Sequence, residues 1–319
     1  MSIDGNFKFY KGRTLFELNR DDVTTDDRVT IKVTNSQGER NYTKFLPSFM
    51  EKLTVDLTPY CKAHIIGNLR DMLQEGEGEG LWYDMSVWVN IPEASYGTLV
   101  DGYNPEDFGI LTNLPYLQIS QADGDIDPIE LIIRIPDDAD VEICTDRGCY
   151  QLRQDGNYDL IHNRIIGGGG FVQLNDISGN YGEDELKNMY LPVRTVPRGM
   201  NTRRLIWRNE LGGVDAWSFE FLRESNFTTT SDVFYSTLKG YTRANRQYER
   251  VNIVETREVD DRVADALAYI TASPEVYLYD YERDDYIPID IVTEECRTYS
   301  DTELTSIQIA YRPKEREVL

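Results

Sequence analysis

The chain has 319 residues, and its 56 acidic residues outnumber its 33 basic residues to give a formal net charge of −23 at pH 7. Because phosphate binding needs a cationic surface, this charge argues against nucleic acid as a partner. A chain of this length exceeds the usual size of one core, so we expect two domains. The aromatic content of 11%, which includes 21 tyrosines, favours strands.

The first half of the chain predicts strands separated by polar turns. Apolar or alternating runs of strand length occupy residues 7–10, 29–33, 52–57, 81–89, 129–135 and 140–144. The period changes once, where Thr58 and Pro59 make an N-cap and first-turn pair for an amphipathic helix that runs to about Gln74. The acidic, glycine-rich residues 75–80 predict a loop. We therefore expect an N-terminal β-rich domain over residues 1–166.

Four consecutive glycines at residues 167–170 predict the domain boundary. Gly168 and Gly169 leave the backbone free to adopt unusual dihedral angles, which suits a hinge or a close approach between subunits. The polar, proline-interrupted run from Gln173 to Arg198 predicts an extended arm that bridges neighbouring subunits, with a disordered connection as the alternative. Residues 167–198 are thus expected to form a glycine hinge and an arm. A phosphate-binding loop is disfavoured, because no Lys-Ser or Lys-Thr pair follows the glycines.

A β-hairpin over residues 203–221 is the strongest local prediction in the C-terminal domain, which we place at residues 199–319. Its first strand alternates Leu205 and Trp207 with arginines, and its second strand alternates aromatic with polar residues. We therefore expect two half-buried strands around a turn in which the glycines adopt positive φ angles. The core signature of the hairpin is Trp207, Gly212, Gly213, Asp215, Trp217 and Phe219.

The rest of this domain predicts one helix and two further strands. Apolar residues from Val259 to Ile270 recur at helical spacing, and Pro274 lies beyond the expected end. An acidic hairpin tip at residues 280–285 separates two strands that carry Tyr277, Tyr279, Tyr281 and Tyr286. We expect these tyrosines to form cross-strand pairs or subunit contacts, with stacking on sugars as the alternative.

The hairpin pattern resembles a recurring signature in a family of structural proteins from phages and prophages of Bacteroidetes. That signature reads apolar-Trp-x-Asn-x-Leu-Gly-Gly-x-Asp-x-Trp-x-Phe, and the segments 272–278 and 286–292 resemble the remainder of the family's C-terminal half. The resemblance covers residues 190 to 319. It implies a noncatalytic tail component with a β-sandwich module, similar in layout to distal tail proteins with galectin-like domains.

A candidate assembly interface combines Arg194, Arg198 and Arg203 with Gly168 and Gly169. We expect the arginines to pair with acidic residues of the same or an adjacent subunit, with a local basic patch as the alternative. The acidic run from Asp123 to Asp127 departs from an EF-hand loop, because Pro128 replaces the required glycine, and predicts a solvated loop.

Catalysis and metal binding have little support in the sequence. His64 and His162 lie in different regions, and neither forms a metal-ligand spacing, so we expect no enzyme activity, cofactor or metal. The four cysteines are expected to be reduced, with a bridge between Cys144 and Cys149 in the released particle as the alternative. No signal peptide or spanning segment is apparent, which predicts synthesis in the host cytoplasm without a membrane partner.

Together these features predict a mainly β protein with two β-sandwich or barrel-like domains, one or two short amphipathic helices and an extended arm. The expected function is a structural subunit of the virion tail or baseplate. Such a subunit would assemble with itself into a symmetric ring and contact other tail or connector proteins. Two alternatives stay open, a head-to-tail connector or collar ring protein, and a carbohydrate-binding module for host surface glycan.

Overall fold

A computed structural model gives the architecture of most of the chain. It describes residues 2–6, 15–20, 27–35, 38–46, 52–56, 69, 73, 86–90, 95–100, 108–135, 140–152, 160–165, 170–178, 186–187, 190–211, 213–238, 240–293, 296, 304–314 and 317–318. In these residues the fold is mainly β, with sheets that form a near-barrel and a half-barrel, so the predicted fold class is confirmed. Among them, no helix has the length and apolar character needed to cross a membrane.

Two antiparallel sheets form before residue 107 in the described chain. The strands are β1 (Ser2–Asn6), β2 (Leu15–Arg20), β3 (Asp27–Asn35), β4 (Gly38–Leu46), β5 (Lys52–Asp56), β6 (Ser86–Asn90) and β7 (Ser95–Val100). Their orders are β1-β6-β3-β4 and β5-β2-β7. Leu69 and Leu73, inside the predicted N-terminal helix, are both helical and fully buried.

A second group of strands, the central module, follows from residue 108 to residue 197. The strands are β8 (Phe108–Ile110), β9 (Leu117–Ala122), β10 (Asp125–Ile126), β11 (Ile129–Arg134), β12 (Val141–Thr145), β13 (Gly148–Gln151), β14 (Leu160–Ile165), β15 (Gly170–Asp176), β16 (Leu186–Lys187) and β17 (Tyr190–Pro197). They form a six-stranded sheet, β10-β9-β17-β15-β12-β13, and a four-stranded sheet, β14-β11-β8-β16. Apolar residues of both sheets share one core.

The described strands on either side of the glycine run, β14 and β15, both belong to this central module. Gly168 and Gly169 are outside the described residues, but Ile165 before them and Val172 after them belong to the same core. The segment predicted to be an arm contributes β15 and β17, which pair with each other, and β17 also pairs in parallel with β9. The described parts of residues 167–198 are therefore strands of the module, because alternating residues such as Leu191 and Val193 are buried.

The C-terminal module contains one large sheet. Its strands are β18 (Arg203–Arg208), β19 (Val214–Phe219), β20 (Phe221–Ser236), β21 (Gly240–Glu255), β22 (Val276–Asp280), β23 (Asp285–Ile291), β24 (Gln308–Pro313) and β25 (Glu317–Val318). The order is β19-β18-β22-β23-β24-β21-β20, and β25 pairs with β21. The predicted hairpins at 203–221 and 276–291 are both present.

Helix α1 (Asp261–Ala268) covers one face of this sheet and continues as a 3₁₀ turn (Tyr269–Ala272). Asp260 caps it, since its carboxylate accepts a hydrogen bond from the backbone N–H of Val263 at 3.1 Å. Val263 and Leu267 lie in the sheet core, while Asp261 and Asp265 are exposed. The amphipathic helix predicted from apolar spacing is therefore present.

The β18–β19 hairpin is buried on both faces, so the expectation of two half-buried strands is wrong. On one face Trp207, Trp217 and Phe219 pack with α1 in the C-terminal core. On the other face Ile206 and Ala216 pack in a separate cluster. That cluster includes Leu111 and Ile132 of the central module, together with Leu69 and Leu73. The second face is covered because the central module lies against it.

The expectation that all four cysteines are reduced is also wrong, because Cys144 and Cys149 are joined in a disulfide. Antiparallel pairing of β12 and β13 places the two residues directly opposite each other, with their Cα atoms 4.0 Å apart. Local register brings the sulfurs together, which a rule based on cellular compartment does not consider. Cys296 is a free thiol, and Cys61 lies outside the described residues.

The burial of Trp217 generates a stability prediction. Replacing Trp217 with alanine removes a side chain that is 1% exposed, and we expect a loss of about 3–5 kcal/mol in the free energy of unfolding. Denaturant unfolding of both proteins measures this difference. The control is Met200→Ala, which changes a side chain that is 95% exposed and should shift stability by less than about 0.5 kcal/mol. Equal effects of the two substitutions would contradict the core assignment.

Candidate functional site: a buried polar joint between two β modules

Polar and charged side chains concentrate where the β18–β19 hairpin meets the central module. We call this region the joint; it comprises the contacts that residues 108–135 and Arg198 make with residues 203–218 and 275–286. Contact between modules occurs at this place because β19 packs against β9 and β11. Several of its charged groups are almost fully inaccessible to solvent, which makes their pairing decisive for stability.

Asp127 is the centre of the first group in the joint. Its carboxylate is fully buried and accepts hydrogen bonds from the Ser218 hydroxyl at 2.6 Å and from the backbone N–H of Ser120 at 2.6 Å. The guanidinium of Arg204 lies 3.4 Å from the same carboxylate, and that of Arg198 lies 3.0 Å from it. Two cations and two neutral donors therefore offset the cost of burying one carboxylate.

Arg204 also ties the two modules through their backbones. Its guanidinium donates hydrogen bonds to the carbonyl oxygens of Gln118 and Pro128, at 3.0 and 2.9 Å. Both carbonyls belong to the central module, whereas Arg204 is on β18. The planar guanidinium thus makes contacts that fix both the position and the angle of the hairpin.

Arg208 and Glu275 form a second buried ion pair, with the Arg208 Nε atom 2.9 Å from Glu275 Oε2. The two side chains are 2% and 1% exposed. The pair joins β18 to the residue just before β22, and Glu275 Oε1 also accepts from the backbone N–H of Leu69 at 3.5 Å. The buried helical residue Leu69 is therefore attached to the joint by the same carboxylate.

The hairpin turn docks on Leu111 of the central module. The side-chain amide of Asn209 donates to the Leu111 carbonyl oxygen at 2.8 Å. Its own oxygen accepts from the backbone N–H groups of Leu211 and Gly213, at 3.0 and 2.9 Å. A Cβ atom on Gly213 would lie 1.9 Å from the Leu111 carbonyl oxygen. Gly213 is therefore required for close approach; its φ angle is not positive, contrary to expectation, and Gly212 lies outside the described residues.

Asp215 is buried opposite Trp207 on the neighbouring strand. The hydroxyl of Thr112, in the central module, donates to its carboxylate at 2.5 Å. Burial raises the pKa of Asp215 to about 6, although hydrogen bonds from Thr112 and Asn209 and from the backbone of Asn113 oppose the shift. Asp215 therefore adds a further polar link across the joint, and this link is sensitive to pH.

The four tyrosines of the β22–β23 hairpin belong to the joint. Tyr277, Tyr279 and Tyr286 are buried, and Tyr281 packs against their cluster. The Tyr286 hydroxyl donates to the buried Glu130 of the central module, and Tyr279 donates to Asp284 at 2.5 Å. Burial and the nearby Asp127 carboxylate together raise the pKa of Tyr281 to about 12. Ring contacts between these tyrosines agree with the predicted cross-strand pairs.

The three candidate interface arginines all make contacts within the chain. Arg198 lies 2.6 Å from Asp125 as well as 3.0 Å from Asp127, and its guanidinium sits 4.1 Å above the Tyr281 ring. Arg194 lies 3.7 Å above the Tyr116 ring. Arg203 donates to two nearby carbonyl oxygens, those of Met200 and Thr202. For Arg198 the expected acidic partner is in the same chain.

The acidic run from Asp123 to Asp127 differs from a solvated loop in one respect. Asp123 and Asp125 are exposed, but Asp127 is buried among arginines. Among the described residues, one group of possible metal donors lies elsewhere, formed by Glu142, Cys144 and Cys149. Its two sulfurs are bonded to each other, and a metal requires the free thiolate. His64 and the side chain of His162 lie outside the described residues.

Comparison with known proteins adds no relative to these observations: no protein-family model matches the chain, and no curated protein matches it. The chemistry of the joint is cohesion, because its charged groups are buried and paired: Asp127 with Arg204 across the two modules, and Arg208 with Glu275 within the C-terminal module. Asp127 and Glu275 are both at most 1% exposed to solvent.

Breaking the Arg208–Glu275 pair gives a quantitative test of the joint. Arg208→Met leaves a buried carboxylate without its cation, and we expect the free energy of unfolding to fall by about 3–5 kcal/mol. The double variant Arg208→Met, Glu275→Leu should regain most of this loss, because no charge is then buried. Denaturant titration of the single and double variants measures both effects.

The matched control is Arg257→Met. The Arg257 side chain is 64% exposed and lies 3.9 Å from Glu220, so its loss should cost less than about 1 kcal/mol. If Arg208→Met costs no more than this control, the pair does not hold the joint.

The raised pKa of Asp215 predicts a pH dependence. Between pH 3.8 and about 6 the folded state binds more protons than the unfolded state, so this group stabilises the fold at the acidic end of the window. That contribution is lost as pH rises through the folded pKa. Asp215→Asn removes the titration, so the stability of the wild type relative to this variant should fall across the window and stay constant above it. Unfolding measured at a series of pH values tests this, and a difference independent of pH would contradict it.

Proposed function

We propose that this chain is a noncatalytic structural subunit of a bacteriophage particle, a tail or baseplate component that works in a symmetric assembly. The observation that carries the proposal is the role of the signature residues. Asn209, Gly213 and Asp215 bind the hairpin to the central module, while Trp207 and Trp217 fill the C-terminal core. A motif whose residues all hold the two modules together or fill a core is suited to a structural subunit that keeps one rigid shape within an assembly.

The tyrosines of the joint support the same proposal against the glycan-binding alternative. Stacking on a sugar requires ring faces in solvent, whereas Tyr277, Tyr279 and Tyr286 are each less than 9% exposed. Glycan recognition through the β22–β23 hairpin would therefore require the joint to open. The connector or collar alternative predicts the same kind of subunit at a different position in the particle.

Particles from a culture that carries the gene test this function. Mass spectrometry of density-purified particles should detect the chain, and labelled antibodies in electron microscopy should mark the distal end of the tail. Label at the neck would select the connector alternative. Absence of the chain from purified particles, combined with binding on a glycan array, would overturn the proposal in favour of the carbohydrate-binding module.

A further inference from the structure

Two long strands of the C-terminal sheet, β20 and β21, extend far beyond the other strands of that sheet. β20 and β21 each have 16 residues, but β24 pairs with β21 only at residues 252–255 and β25 only at residues 247–248. Past these points β20 and β21 pair only with each other in the described chain, from Asp232 opposite Ala244 to Ser236 opposite Gly240. We call this projecting part the ribbon. Five paired residues per strand at about 3.3 Å each give it a length of about 17 Å.

The ribbon carries exposed apolar side chains at its tip. Leu238 in the turn is 95% exposed, Tyr241 is 82% exposed, and Val233 and Tyr235 are exposed as well. Tyr235 lies opposite Tyr241 in the register, and the two rings meet edge to face at 5.3 Å. A two-stranded hairpin alone is marginally stable in water, and clustered exposed apolar groups mark interaction sites. The tip therefore calls for a partner surface.

The distribution of charge along the chain indicates which partner the ribbon binds. Residues 227–250, which contain the ribbon, include four basic and two acidic residues, a net charge of +2 within a chain of net charge −23. The rest of the chain is therefore strongly acidic. A large net charge of one sign opposes self-association, but a locally basic ribbon reverses that effect where it meets the acidic remainder of another copy. The ribbon and the rest of the chain are thus electrostatically complementary.

We propose that the ribbon is an assembly arm that docks on the acidic surface of a second copy of this chain. The proposal deepens the proposed function, since it assigns the subunit contact to β20 and β21 and not to residues 173–198. A ribbon that projects from one copy onto the body of the next makes a heterologous contact, which forms a ring when the rotation closes. The exposed tip supplies apolar contact area, and the basic residues supply attraction that weakens with salt.

Substitution of the exposed tip tests the proposal without disturbing a core. Tyr235→Ser, Leu238→Ser and Tyr241→Ser are combined in one variant of the full chain, and Met200→Ser with Leu304→Ser is the control, because these two apolar residues are also exposed but lie outside the ribbon. Light scattering across a range of concentrations measures mass. We expect the wild type and the control to exceed the 36.8 kDa monomer, and the tip variant to stay monomeric with an unchanged melting temperature.

A charge variant and a mixing experiment complete the test. Arg243→Glu with Arg246→Glu should weaken association at low salt, and high salt should weaken association of the wild type. When the tip variant is mixed with the wild type, the acidic surface of the variant should still bind the ribbon of a wild-type copy. The mixture should therefore form short oligomers that end in a variant copy. Association of the tip variant equal to the wild type would overturn the proposal.

A wild-type protein that stays monomeric at all concentrations would also overturn the proposal. A monomer whose ribbon binds anionic lipid vesicles would overturn it in the same way. Detection of the chain in purified particles would still support the proposed function in either case.

Discussion

The rest of the molecule depends on one constraint, the burial of the β18–β19 hairpin on both faces. One face has the aromatic core of its own sheet, and on the other face Arg204 binds Asp127 of the central module while Arg208 binds Glu275 of the same C-terminal module. Compared with apolar residues of the same volume, buried ion pairs add little net stability. They do penalise any other docking position, because a shifted hairpin leaves a buried charge unpaired. The two modules therefore have one relative placement in which Asp127 keeps its bonds to Arg204 and Ser218.

The signature segment gains its meaning from this placement. Each of its polar residues contacts Leu111 or Thr112 of the central module, or closes the turn that makes such contact. Gly213 shows the constraint most directly, since any side chain there would occupy the space of a backbone carbonyl. The motif is thus a docking element between two β modules, and its tryptophans anchor that element in the core behind it.

Local pattern was sufficient for strands such as β3, β5, β11 and β12, for the two C-terminal hairpins and for helix α1, because apolar periodicity reports which face of an element is buried, but it did not indicate the long strands β20 and β21. Prediction from local pattern failed for those faces of a strand that another module covers. Arg204 and Arg208 look like the solvent side of an amphipathic strand, and only Ile206 between them hints at burial. The polar run around β15 and β17 suggests an arm, since pairing across distant residues leaves no local period. The disulfide depends on the pairing register of β12 and β13, which the local sequence does not specify.

The joint and the ribbon are connected through strand β20. Glu220 separates β19 from β20, and its carboxylate accepts from the Gln118 side-chain amide at 3.1 Å and from the backbone N–H of Arg257 at 3.2 Å. Gln118 belongs to the central module and Arg257 follows β21, so both modules hold the start of β20, at the end of the strand opposite the ribbon. A closed ring requires a fixed angle between subunits. In the ring that we propose, rigidity in the joint sets the direction in which the ribbon meets its partner, because the strand that leaves the joint is the strand that forms the ribbon.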